Sequence, residues 1–78
     1  MNKNDRVTLR KAVAATSQGM EMIRALAEAE TEKADNMSEG LSGTYTFGQI
    51  EEAAGVLELA ADGIETAISE LEELLDGE

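Results

Sequence analysis

The sequence predicts an all-α fold, an antiparallel two-helix hairpin with a heptad seam, associating into a homodimeric four-helix bundle. Three observations predict it. Apolar residues recur about every 3.5 positions in both halves of the chain. A Gly/Ser/Asn-rich stretch separates the halves. With 78 residues the chain is one domain, residues 1–78, and it contains neither Cys nor His. Chains this short usually need disulfides, a metal or oligomerisation to reach stability, and here only self-association is left.

The first helix is expected over about 5–35. Asn4 or Asp5 can cap it. Leu9, Val13, Thr16, Met20, Ile23, Ala27, Glu30, Ala34 and Met37 follow at alternating steps of four and three, and Ala12, Gly19 and Leu26 widen the stripe. Thr16-Ser17-Gln18-Gly19 is its weakest part, since a Gly costs about 1 kcal/mol against Ala in a helix interior. One continuous helix is still expected.

The loop is expected over about 36–46, where Gly40 and Gly43 permit positive φ and Asn and Ser favour turns. Thr46 and Gln49 read as a capping box that opens the second helix. Tyr45 and Ile50 then stand at the two positions of a hydrophobic staple. Tyr45 and Phe47, the only aromatics, close the end of the bundle with Met37 and Leu41. Alternatively this loop binds a partner or a small ligand.

The second helix is expected over about 47–76, ending at Gly77. It holds four heptads, each opening with Ile or Leu, then Glu. Ile50, Leu57, Ile64 and Leu71 take the d positions, and Ala54, Ala61, Ile68 and Leu75 the a positions. With Leu9, Val13, Met20 and Ile23 of the first helix these form the oligomer seam. Ala53, Ala60, Ala67 and Leu74 at g extend the apolar face to three positions per heptad, which suits a bundle better than a lone two-stranded coil. The e positions are Glu51, Glu58, Glu65 and Glu72, in one line. No Lys or Arg follows Lys33, so this line cannot be neutralised within its own helix. It is either a solvated face or a surface for a basic partner.

Net charge is −11, unevenly placed. Residues 1–11 carry Lys3, Arg6, Arg10 and Lys11 against Asp5, a net of +3; residues 12–78 carry Arg24 and Lys33 against 16 acids, a net of −14. Such a segment repels nucleic acid and anionic membranes. The basic cluster is expected to oppose the acidic end of the second helix, because the hairpin brings residues 3–11 beside 65–76. No apolar run approaches the ~18 residues of a membrane span and no signal peptide is evident, so a cytoplasmic protein is expected.

Catalysis is not expected. Without His or Cys the usual nucleophile–base pairs are missing, and so is the conventional zinc site. The pairs Glu28/Glu32 and Glu73/Asp76 share helix faces, but in a chain so rich in Glu these spacings arise by chance. Gly55, Gly63 and Gly77 are too dispersed for a phosphate loop. The reading is therefore a non-enzyme with no cofactor and no metal.

Asp35-Asn36-Met37-Ser38-Glu39-Gly40-Leu41, followed by Gly48-Gln49-Ile50-Glu51-Glu52-Ala53 and the Ile/Leu-Glu-x-Ala heptads, resembles a group of short acidic two-helix proteins of bacteriophages and mobile elements of Gram-positive bacteria. The group's pattern has Pro where this chain has Ser38, and a more charged loop where it has Thr44–Phe47. The resemblance spans roughly residues 28–75. It implies phage origin, action in the host cytoplasm and a two-helix shape, and it carries no catalytic residue across.

Three functions fit. The leading one is an acidic inhibitor that binds the basic surface of a host protein, such as a defence nuclease or another nucleic-acid-binding protein, through Glu51, Glu58, Glu65, Glu72, Tyr45 and Phe47. The Glu line repeats every ~10.5 Å, wider than the ~3.4 Å phosphate spacing of one DNA strand, so phosphate mimicry needs interleaved help from Glu52, Asp62, Glu73 and Asp76. The second is a helical oligomer that sequesters a small ligand such as a nucleotide, using Lys3, Arg6, Arg10 or Lys11. The third is a structural or antitoxin-like partner that zips onto another helix.

Overall fold

The computed structural model describes residues 1–37, 40 and 43–77. Two α-helices, α1 (Lys3–Asp35) and α2 (Tyr45–Asp76), make up these residues apart from the connection and the termini. They pack against each other as an all-helical hairpin. The molecule measures 59 × 14 × 14 Å with a radius of gyration of 17.6 Å. A compact domain of this length would have about 11–12 Å, so the hairpin is a rod.

α1 starts earlier than expected. Asn2, not Asn4 or Asp5, is the N-cap, and its Oδ1 accepts from the Asp5 backbone N–H at 2.8 Å. This places the Asp5 carboxylate in the first turn, where the helix dipole favours it. The helix runs unbroken through Gly19. Thr16, expected in the seam, is exposed instead and returns its hydroxyl to the Ala12 carbonyl at 2.8 Å. Ser17 takes the inward place and is half-buried. The helix ends at Asn36, whose N–H still reaches the Glu32 carbonyl at 3.0 Å.

α2 likewise begins ahead of its expected start. Thr44, not Thr46, is the N-cap and accepts from the Phe47 N–H at 3.3 Å. That frame puts Gly43 and Gly48 at the staple positions, and neither has a side chain to pack. The expected Tyr45–Ile50 staple and the Thr46–Gln49 box are therefore not formed. Tyr45 lies inside the first turn and is 81% exposed, so it does not close the end of the hairpin. Phe47 and Met37 are half-buried there, while Leu41 lies outside the described residues. Among the described residues no glycine takes a positive φ, so Gly43 does not use the freedom expected of it. α2 ends at Gly77 in right-handed geometry, its N–H bonded to the Glu73 carbonyl at 3.0 Å.

The core is a single line between the helices. Among the described residues only Ala27, Ala61 and Ile68 are buried. Leu9, Val13, Met20 and Ile23 on α1, with Ile50, Ala54, Leu57, Ile64, Leu71 and Leu75 on α2, are half-buried along the same line. The seam thus closes one chain on itself. The expected three-position face is covered only in part: Ala53 and Gly19 are half-buried, whereas Ala60, Ala67 and Leu74 are exposed, as are Ala12 and Leu26. Two cylinders touch along one line and cover the a and d positions only, so burying a third position takes further helices. Among the described residues no helix is long and apolar enough to cross a membrane.

Candidate functional site

The heptad frame decides where the carboxylates of α2 stand. With Ile50, Leu57, Ile64 and Leu71 turned toward α1, residues one position later fall on one flank. Glu51, Glu58, Glu65 and Glu72 occupy it, all exposed. Asp62 and Asp76, four residues after Glu58 and Glu72, fall on the same flank and are exposed too. Glu52 does not join them. It borders an open depression of about 440 Å³ with Gln49, Ala53, Val56 and Leu57, on the other flank.

One contact ties this flank to α1. Arg24 donates from Nη1 to Asp62 Oδ1 at 3.1 Å and from Nη2 to Glu65 Oε2. The fork spans two acids one helical turn apart, a geometry suited to the planar guanidinium. Its pKa is raised, first by the hydrogen bond to Asp62, against an opposing effect of desolvation, and then by the charges of Glu65, Asp62 and Glu58. The Arg24 side chain is 32% exposed and both acids are 62% exposed, so the cluster is solvated and contributes little to stability. Its main consequence is geometric. It shows that Glu21 and Glu28, one turn either side of Arg24, lie on the same side of the hairpin as the α2 carboxylates. One side of the rod is therefore acidic from the loop end to beyond its middle.

Sequence reasoning missed the role of Arg24. It looked for neutralisation across the hairpin only from residues 3–11, although Arg24 is the only cation between Lys11 and Lys33. Its position one residue after the seam residue Ile23 is the signal that could have found it.

The basic cluster stands apart. Among the described residues no carboxylate lies within ion-pair distance of Lys3, Arg6, Arg10 or Lys11. Arg6 is half-buried and the other three are exposed. The expected pairing with the end of α2 is not made, although antiparallel packing leaves these residues at that end of the rod. A further ion pair joins Lys33 Nζ to Glu30 Oε1 at 2.9 Å, within α1.

Tyr45 and Phe47, the other residues expected to touch a partner, begin α2 at the loop end of the rod. Tyr45 is available to a partner, whereas Phe47 is partly taken up by packing. Among the described residues no three carboxylates gather in a way that could hold a metal ion.

Compared with known families, curated proteins and solved structures, the chain matches none.

Proposed function

We propose that the protein is a non-enzymatic acidic interaction protein, a homodimeric helical bundle that covers the basic surface of another protein and inhibits it. One observation carries the reading: Glu51, Glu58, Asp62, Glu65, Glu72 and Asp76 stand exposed on one flank of a long α2, with Arg24 the sole cation bonded to them among the described residues. Asp62 halves the spacing between Glu58 and Glu65, bringing part of the line closer to the density of a phosphate backbone. The rod form supports the reading as well, since a flat charged side on a stiff frame loses little conformational entropy on binding. The resemblance to phage proteins makes a host nuclease or another nucleic-acid-binding protein the natural target, met in the host cytoplasm.

The test is a pull-down from bacterial lysate with the tagged chain, washed at low salt and then at about 0.5 M, where exposed charges are screened within a few ångströms. The expected outcome is capture of a basic protein that is released by the salt wash. Capture that survives high salt would place the contact on apolar surface and end the charge reading.

A second reading, sequestration of a nucleotide-like ligand, is favoured by Lys3, Arg6, Arg10 and Lys11, which have no carboxylate within ion-pair distance among the described residues. Released nucleotide on heat denaturation of the purified protein would establish it, and repeatedly empty preparations would remove it.

A further inference from the structure

The side of the rod opposite Arg24 carries the opposite chemistry. On α1, residues at steps of three and four give Ala12, Ala15, Gly19, Met22, Leu26 and Ala29, with no charge among them. Met22 is 64% exposed and Leu26 57%. On α2 the corresponding flank gives Ala53, Val56, Ala60, Gly63 and Ala67, and then Leu74, with Val56 59% exposed and Leu74 48%. The antiparallel hairpin turns both flanks the same way, for the reason that also brings Arg24 to Asp62. Within these two stretches lies an apolar strip two helices wide in a chain of net charge −11.

We propose that this strip, and not the a/d seam, is the face covered by a second copy of the chain, with the two hairpins antiparallel. The proposal rests on the dimeric reading above and specifies its surface.

The area fits. The chain exposes 5586 Å², whereas a compact folded chain of 8.3 kDa exposes about 4,600 Å². The excess of roughly 1,000 Å² is close to the ~800 Å² each partner contributes to a stable interface. The seam is already used within one chain, so a second copy cannot take it without opening the hairpin. The charged side would bring acids against acids. The apolar strip is rich in Ala and Gly, which lets helices approach closely, and its open depression beside Ala53 and Val56 can receive a side chain from the other copy.

Charge selects the orientation. Lys33 is the cation on the α1 flank, near the loop end, and Glu70 the carboxylate on the α2 flank, toward the termini. Antiparallel hairpins bring Lys33 of each copy toward Glu70 of the other. They also place the +3 segment of residues 1–11 beside the acidic loop end of the other copy. Parallel hairpins would instead set Lys33 level with the other copy's Lys33 and Glu70 level with its Glu70.

Sedimentation velocity on the full chain, with circular dichroism on the same samples, tests the face. The wild type is expected at twice 8.3 kDa, and the double variant Leu26→Glu/Val56→Glu at half the wild-type mass with helicity retained. Leu59→Glu, at a 74% exposed position on the outer face of α2, is expected to stay dimeric. A monomeric wild type would overturn the proposal and mark the strip as the seat of a different partner; so would a double variant that remains dimeric. Oxidative cross-linking of single-cysteine variants tests orientation without relying on destabilising changes. A Cβ at Gly63 meets no atom within 4 Å, and Gly63→Cys near the middle of the strip should link two chains. Gly43→Cys, at the loop end, should not, because antiparallel copies hold their loops most of a rod length apart. Efficient linking through position 43 would overturn the antiparallel arrangement. The double variant keeps every α2 carboxylate of the charged side, so salt-released capture by that monomer separates failure of the dimer from failure of the functional reading.

Discussion

On one side of the rod Glu51, Glu58, Asp62 and Glu65 stand exposed around Arg24; on the other Met22, Leu26, Val56 and Leu74 stand exposed on a largely apolar surface, with Glu52 at its border and Glu70 toward the termini. Both sides belong to the same two helices and flank the same seam. The difference comes from single-residue steps in the heptad: the position after d is always Glu on α2, and the position before a is always Ala or Leu. On the proposals above, such a pattern would separate two kinds of association on one small frame. Contacts on the acidic side weaken with salt, because they depend on exposed charge. Contacts on the apolar side strengthen with salt, because the repulsion between two chains of −11 is screened. Opposite salt responses of partner capture and self-association are the direct expectation, and parallel responses would mean that both use one surface.

The comparison presupposes the seam, so the largest effect is expected there. Ile68 is 7% exposed between the helices. Ile68→Asp places an unpaired charge in the one buried line and should cost several kcal/mol, enough to remove most helicity by circular dichroism and both kinds of association together. Ile64, half-buried in the same line, should behave likewise, because it holds one hairpin together before it can matter to two. A folded, dimeric Ile68→Asp chain would show that the seam is misplaced.

Charge reversal on the acidic side comes next. Glu51→Lys/Glu58→Lys should weaken capture of a basic partner by about tenfold or more, equivalent to ~1.4 kcal/mol, with sedimentation and helicity unchanged. A fall in dimer mass instead would put self-association on the acidic side.

Capping effects are smaller and should not distinguish the two sides. Thr44→Ala removes the hydroxyl that accepts from Phe47 N–H and should lower stability by about 1 kcal/mol, read from a urea midpoint. Thr46→Ala should have less effect, since that hydroxyl is not the cap. The reverse order would restore the later start of α2.

The smallest effect is expected at Arg24. Arg24→Ala removes a solvated ion-pair cluster and should change the thermal midpoint little, with the change shrinking as salt is added. Its effect on partner binding should run the other way, strengthening capture of a basic surface by removing a cation from the acidic side.

Much of this architecture was legible in the chain. The twelve seam positions occupy the line between the helices because a heptad repeat has one inward stripe, whichever neighbour fills it. The helix bounds were nearly legible, but their starts came earlier because more than one residue at each start could cap. Asn2 won over Asn4 and Asp5, and Thr44 over Thr46, each by extending its helix with a satisfied cap. The inward shift from Thr16 to Ser17 was not legible, because both are small hydroxyl residues and neither carries the hydrophobic signal.

The sequence by itself determined the two helices, the seam, the single-sided placement of the α2 carboxylates and the excess of negative charge, because all of these follow from period and composition. Only the tertiary structure decided that the seam is satisfied within one chain, that Arg24 crosses to Asp62 and Glu65, that the basic N-terminal cluster finds no carboxylate partner among the described residues, and that Ala60, Ala67 and Leu74 of the g-position face are left exposed. These depend on which flank of one helix meets which flank of the other, and a one-dimensional pattern does not contain that pairing.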